Sequence, residues 1–286
     1  MGTVHLWLAT AIWVILSAGT VCVQDVGPRS GTLVAVGGNL QDSTIVERFL
    51  QLAGGNSSPI VFIPTAGGSE TYDQSWSGLD IFRAAKATDL TVIHTNDRVV
   101  ANSSTFVEPL LRARGVWFGG GRQWRLADAY LHTKTQQAIR SVLDRGGVVG
   151  GSSAGATILG SYLTRGDTRT NAIMMGDHEE GMGFIKNVAI DQHLLTRNRH
   201  FDLLQIVRAY PDILGIGIDE DTAIVVQGDQ FEVIGQSYVA IYDHSQMLQS
   251  HELFYFLAPG DRYNLTKRRT LQPIASMRKS EYSRIK

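Results

Sequence analysis

The chain of 286 residues sets 26 Lys and Arg against 27 Asp and Glu, a formal charge of −1. That balance excludes nucleic-acid binding through a basic face and anchoring through a polybasic cluster, since only the tail from Arg278 to Lys286 is basic. With 43% hydrophobic and 19% charged residues, and 30 Gly and 7 Pro without a fixed period, the sequence suits a globular fold with a large core and no repeats. A lone cysteine, Cys22, leaves no internal disulfide and excludes thiol catalysis, Cys-based zinc sites and iron–sulfur clusters.

The chain opens with an apolar run from Leu6 to Val23, broken only by small or weakly polar residues such as Thr10 and Ser17 and followed by Gln24, Asp25 and Arg29. It reads as a secretory signal peptide over residues 1–24, giving a secreted or periplasmic protein with no membrane contact once the signal is removed. The alternative is an uncleaved anchor, because the run is long enough to span a bilayer. Sequons at Asn56, Asn102 and Asn264 accompany the secretory reading. Residues 25–286 read as one domain ending in a polar basic tail.

From Thr32 onward, continuous apolar runs alternate with helical segments. The runs are 32–38, 60–66, 89–95, 115–121 and 147–155, the pattern of strands buried on both faces. Thr44 to Glu47 has the spacing of a capping box, opening a helix that stops at Gly54-Gly55. A longer helix is expected from Gln123 to just before Gly146, and another over Ala154 to Leu163. Five βα units imply right-handed crossovers and a mostly parallel sheet with helices on both faces. Beyond Gly215, short strands at 222–226, 230–234 and 239–242 predict hairpins that extend one edge.

Gly151-Ser-Ser-Ala-Gly155 satisfies G-x-S-x-G between a buried strand and a helical stretch. This is the context of a nucleophile elbow centred on Ser153, whose sharp turn tolerates only glycine on either side. The bland alternative is a tight Gly-Ser βα loop that binds phosphate. A serine needs a base, and among eight histidines His193 stands out because it closes the apolar run Val188–Gln192 just before a polar segment. Active sites of α/β sheets collect at such strand ends; a hydrogen-bonded structural histidine is the competing reading. A third member should be a carboxylate, and Asp219, Glu220 and Asp221 are all eligible on position alone.

Four motifs, Gly119-Gly-Gly-Arg-Gln123, Gly151–Ala156, Asp191-Gln-His193 and Gly217–Ala223, occur in the order found in cyanophycinase and its relatives, and the chain resembles the S51 serine peptidases from about Val34 to Asp243. The resemblance implies an α/β, flavodoxin-like fold akin to class I glutamine amidotransferases. It also implies Ser153 as nucleophile, His193 as general base and Glu220 as the acid that orients it. Gly121 and Ala154 would supply oxyanion N–H groups, and Gln123, Asp191, Gln192, Arg197 and Arg199 would bind substrate. No metal or cofactor is implied. The order Ser, His, acid also differs from the Ser, acid, His order of α/β-hydrolases.

Two positions depart from the family pattern. Arg122 stands where Asp is usual and Asp202 where a third Arg is usual, and both departures bear on substrate choice. The expected function is hydrolysis of cyanophycin, a β-Asp-Arg polymer, or of related β-aspartyl peptides. The alternatives are an aspartyl or isoaspartyl exopeptidase and a secreted binding protein without turnover. Sequence leaves the oligomeric state open, a homodimer included.

Overall fold

The five expected parallel strands are present in the computed structural model, which describes residues 25–271 and Gly2. They are β1 (Thr32–Val36), β2 (Ile60–Ile63), β3 (Leu90–Val92), β4 (Gly115–Phe118) and β5 (Val148–Ser152), hydrogen-bonded side by side in the order 1-5-4-2-3. Their unbroken apolar character follows from burial on both faces. Leu33, Ala35, Ile63 and Phe118 face one core, while Val34, Val36, Phe62 and Trp117 face the other.

Helix α1 (Ser43–Ala53) and α2 (Asp80–Ala84) cover the second of these faces through Phe49 and Phe82, whose rings meet Trp117 edge-on. After the short α3 (Arg98–Ala101), helices α4 (Ser104–Arg112), α5 (Gln123–Tyr130) and α6 (Lys134–Asp144) cover the first face through Leu110, Leu126 and Ile139. Two helix expectations are corrected. The cap of α1 is Asp42, whose Oδ1 accepts from both the N–H and the hydroxyl of Thr44 at 2.8 and 2.6 Å, so the Thr44 hydroxyl is already engaged. The single helix expected from Gln123 is two helices, because Thr133 takes up an N-cap role and accepts from the Gln136 N–H, the competition that disfavours Thr inside helices.

Downstream, only one turn, α7 (Ala154–Thr157), is helical before β6 (Gly160–Tyr162) begins. Gly160 is a poor helix residue, and pairing with β7 (Ile185–Gln192) claims the segment as strand. Helix α8 (Leu203–Ala209) then leads to β8 (Leu214–Ile218), parallel to β7. The hairpin of β9 (Thr222–Gln227) and β10 (Gln230–Gly235) extends the β1 edge as expected. The third expected edge strand, β11 (Val239–Tyr242), goes elsewhere and pairs with β8. After α9 (His244–Ser250), strand β12 (Tyr255–Leu257) pairs with β11, while β13 (Arg262–Asn264) and β14 (Arg269–Leu271) continue from β10.

The result is two mixed sheets among the described residues, one of nine strands and one of five, in place of the single sheet expected. Apolar patterning reports burial and not partner, so it could not assign β11 to its sheet. The parallel order 1-5-4-2-3 also differs from the 2-1-3-4-5 of flavodoxin. The signal segment, Cys22 and the basic tail lie outside the described residues. Within them no helix is long and apolar enough to cross a membrane. Asn56 and Asn102 are exposed, whereas Asn264 is buried in β13 and badly placed for a glycan.

The site is positioned by register. Val36 pairs with Ser152, Phe118 with Gly151, and Gln192 with Ile218. The carboxyl ends of β1, β4, β5, β7 and β8 therefore deliver Gly37-Gly38, Gly119–Gly121, Ser153, His193 and Asp219–Asp221 to one end of the sheets, where α/β folds place ligands.

Candidate active site

Ser153 follows β5 directly, in a conformation few L-residues adopt, φ 57° and ψ −115°. Its N–H donates to Val36 O at 2.9 Å, and its carbonyl accepts from the N–H groups of Ala156 and Thr157 at 2.9 and 3.1 Å, so the chain turns from strand into helix at this residue. Gly151 and Gly155 make the turn feasible. A Cβ on Gly155 would lie 2.3 Å from Phe118 O, and one on Gly151 would lie 2.4 Å from Gly155 O. A strained, forward-projecting serine of this kind is stable only where its surroundings over-determine it.

The Ser153 Oγ lies 2.8 Å from Nε2 of His193, and His193 Nδ1 lies 2.5 Å from Oε1 of Glu220. An ionised carboxylate only accepts. Glu220 therefore places the imidazole proton on Nδ1 and leaves Nε2 to accept from the serine hydroxyl. His193 itself has φ 55°, and its N–H donates to Gly37 O at 2.8 Å. Gly38 clears space for the ring, since a Cβ there would come within 2.1 Å of His193 Cε1. Burial holds the His193 imidazole below the usual histidine range; the Glu220 hydrogen bond opposes that shift, and the nearby Arg197 and Arg199 charges reinforce it.

Geometry separates the three neighbouring acids that position alone could not. Asp219 Oδ1 accepts from the N–H groups of Leu195 and Thr196 and from the Thr196 hydroxyl, and Oδ2 accepts from Ser237. These bonds hold its carboxyl below the ordinary range against the opposing effect of burial. Asp221 Oδ1 accepts from the N–H groups of Gln41 and Asp42 at 2.8 and 2.7 Å. Asp219 thus pins the segment after His193, Asp221 pins the segment after Gly38, and only Glu220 reaches the imidazole. We expect Asp219→Ala to lower stability by about 1.5–3 kcal/mol, the range for hydrogen bonds to a charged group; a shift in the urea midpoint without a change in slope is the check.

The backbone N–H groups of Ala154 and Gly121 have no hydrogen-bond acceptor among the described residues. Gly121 has φ 140°, and its neighbour Gly120 stands so close that a Cβ would fall 3.5 Å from Ser153 Cβ. Beside Gly120 and Ser152 opens a cleft of about 420 Å³, lined by Trp76, Trp117, Leu40, Ile81 and Asp80 among others.

The expected substrate-binding residues divide. Arg199 donates to the carbonyl and to Oε1 of Gln192 at 3.0 and 2.8 Å and has no carboxylate partner among the described residues. Arg197 is half exposed, with Nε 3.9 Å from Glu220 Oε1. Gln123 is fully enclosed, its Nε2 donating to Thr164 O at 2.5 Å and its Oε1 unpartnered, so it faces protein and not the open cleft. Asp191 is likewise fully buried, and both its oxygens are taken by Arg165 at 2.8 and 2.9 Å.

Arg165 had no sequence signal, for it lies in the segment after α7 with no motif around it. Asp202 meets the same guanidinium at 2.5 Å. Arg122, expected to present a charge beside Gly121, is turned away, its Nη2 donating to Asp167 O at 2.6 Å.

Residues 33–234 match the family model described as "Peptidase family S51". The chain belongs to peptidase family S51. Curated cyanophycinases are similar to it over most of their length. That of Geminocystis herdmanii is 34% identical over 271 residues, 87% of this chain and 97% of the relative. That of Nostoc sp. is 31% identical over 268 residues, 85% of this chain and 89% of the relative. Among solved structures, a peptidase from an acI-B1 Actinobacterium superposes with a TM-score of 0.64 at 26% identity, covering 83% of this chain and 98% of that one. A peptidase E-like protein from Listeria monocytogenes, at 18% identity and a TM-score of 0.52, shares the fold. This S51 member is a cyanophycinase-like hydrolase of the serine peptidase type. Arg122 and Asp202, expected from the resemblance to bear on substrate choice, are each hydrogen-bonded to the segment between β6 and β7.

Proposed function

We propose that the chain is a secreted serine peptidase that cleaves the backbone of cyanophycin or related β-aspartyl peptides. The observation that carries this reading is the unbroken chain Ser153 Oγ, His193, Glu220 at 2.8 and 2.5 Å. Ser153 attacks the scissile carbonyl as His193 Nε2 takes its proton, and Glu220 stabilises the imidazolium. The N–H groups of Ala154 and Gly121 take the oxyanion. The imidazolium then protonates the leaving amine, and a water activated by the same base releases the acyl group. Arg199, with no carboxylate partner, is suited to hold a substrate carboxylate through its planar fork.

Arg199→Ala should weaken kcat/KM by about 1.5–3 kcal/mol, and Lys should restore only part of it. Incubating purified residues 25–286 with cyanophycin, isoaspartyl dipeptides and aspartyl dipeptides tests the reading. Binding of all three without hydrolysis would replace the enzyme by a binding protein. Secretion rests on the apolar run Leu6–Val23, and N-terminal sequencing of exported chain should begin near Gln24.

The base works only when neutral. Because burial lowers the His193 pKa, the acid limb of kcat/KM against pH should fall below the ordinary histidine value of about 6.5. Activity should persist as pH drops through 6.5 and disappear only beneath the lowered pKa. An acid limb above about 7 would contradict this assignment.

A further inference from the structure

Besides Asp219, the segment 191–202 that carries His193 brings Asp191 and Asp202 together with Glu220, Arg165, Arg197 and Arg199, and the pairing of these groups is uneven. Glu220 is committed to the imidazole. Asp191 is bound by Arg165 through both oxygens, the two-bond arrangement that matches the guanidinium fork to a carboxylate. Asp202 binds the same guanidinium through Nη2. Arg165 is only 3% exposed, and its remaining nitrogen, Nη1, donates to Asn171 O at 2.8 Å, so each of its three nitrogens has an acceptor within the protein. Arg197 and Arg199, in contrast, have no carboxylate of their own beyond a 3.9 Å approach of Arg197 to Glu220. The acids are thus satisfied from inside the chain, and the cations are the groups left to meet a ligand. The proximity of these groups is also seen in Arg199, whose pKa is lowered by burial and then by the Arg165 charge.

We propose that Arg165 is a specificity-determining residue: its guanidinium fills the acidic subsite formed by Asp191 and Asp202, so the site accepts an aspartyl acyl group with a free carboxylate and rejects one that carries a guanidinium. The proposal rests on the serine-peptidase reading and, of the two substrate classes named there, excludes the arginine-bearing polymer cyanophycin and keeps the arginine-free aspartyl peptides. A substrate guanidinium would have to displace Arg165 from two carboxylates, one of them fully buried, and would leave a buried cation without a partner, a loss no gain of equal contacts offsets. A free carboxylate has only to approach Arg199, whose fork is held in place by Gln192.

The test uses residues 25–286 and two substrates with the same chromogenic leaving amine. In one the acyl residue is aspartate with its β-carboxylate free; in the other that β-carboxylate is amide-linked to arginine. The free-carboxylate substrate should show a kcat/KM at least tenfold higher. Arg165→Ala should move the ratio at least tenfold toward the arginyl substrate. In that variant guanidinium chloride at millimolar concentration should competitively inhibit arginyl cleavage while leaving the native enzyme unaffected. Should Arg165→Ala not fold, Arg165→Gln, which removes the cation, keeps an amide donor for Asp191 and leaves both carboxylates in place, should reduce the discrimination in the same direction. Equal or better cleavage of the arginyl substrate by the native enzyme overturns the role of Arg165 and leaves the peptidase reading intact. Cleavage of neither substrate, nor of cyanophycin or isoaspartyl dipeptides, sinks the peptidase reading itself.

Discussion

Ser153→Ala is expected to abolish turnover almost completely, with a loss on the order of 10⁴–10⁶ in kcat, because removing a triad nucleophile leaves only binding and the oxyanion donors to act. The substitution deletes one hydroxyl at a partly exposed position and leaves the elbow glycines untouched, so the fold should survive with an unchanged melting temperature. A phosphonate or sulfonyl fluoride should label Ser153 in the native chain, and peptide mapping should find no adduct on Ser152. The two serines offer a sharp contrast. Ser152 ends β5 in register with Val36, whereas Ser153 takes φ 57° and meets His193. Labelling of Ser152, or full activity in folded Ser153→Ala, would return the motif to its bland alternative of a Gly-Ser loop.

How far the sequence could be read depended on whether a feature is local. The parallel strands were legible because burial on two faces writes itself as an unbroken apolar run, and the elbow was legible because only glycine fits beside Phe118 O and Gly155 O. His193 was legible as a strand end. The sheet to which β11 belongs was not, since a buried strand looks alike beside β8 or beside β10. The early end of the helix after Ser153 was hidden for a similar reason: β6 exists by virtue of β7, more than twenty residues downstream. Nor was the Arg165–Asp191 pair, which joins residues 26 apart through side chains alone. The same limit applied to Asp191, Gln192 and Gln123. Their resemblance to the family motifs implied contact with substrate, and in the structure Asp191 spends both oxygens on Arg165 and Gln123 its Nε2 on Thr164 O. A pattern of residue types reveals which groups can bind charge, and only the fold reveals which have already done so.

The run Asp219-Glu220-Asp221 provides the strongest separation of roles. Glu220→Gln should cut kcat by about 10⁴, the loss seen when the acid of a Ser-His-Asp triad becomes an amide. The amide can offer its N–H to Nδ1, which puts the imidazole proton on Nε2, where it can no longer accept from Ser153. Loss of the carboxylate also removes the influence that opposes burial at His193, so the residual activity should have its acid limb at lower pH than the native enzyme. Asp219→Asn and Asp221→Asn should behave differently. Each retains an oxygen for its backbone N–H donors and neither touches the imidazole. Their effects should therefore appear first in the urea midpoint, with kcat reduced tenfold or less and the acid limb in place. The pH profile is the decisive reading, because a merely structural role for Glu220 would lower stability and leave the limb where it was. Collapse of kcat in folded Asp219→Asn, with a normal rate in Glu220→Gln, would move the role to the neighbour.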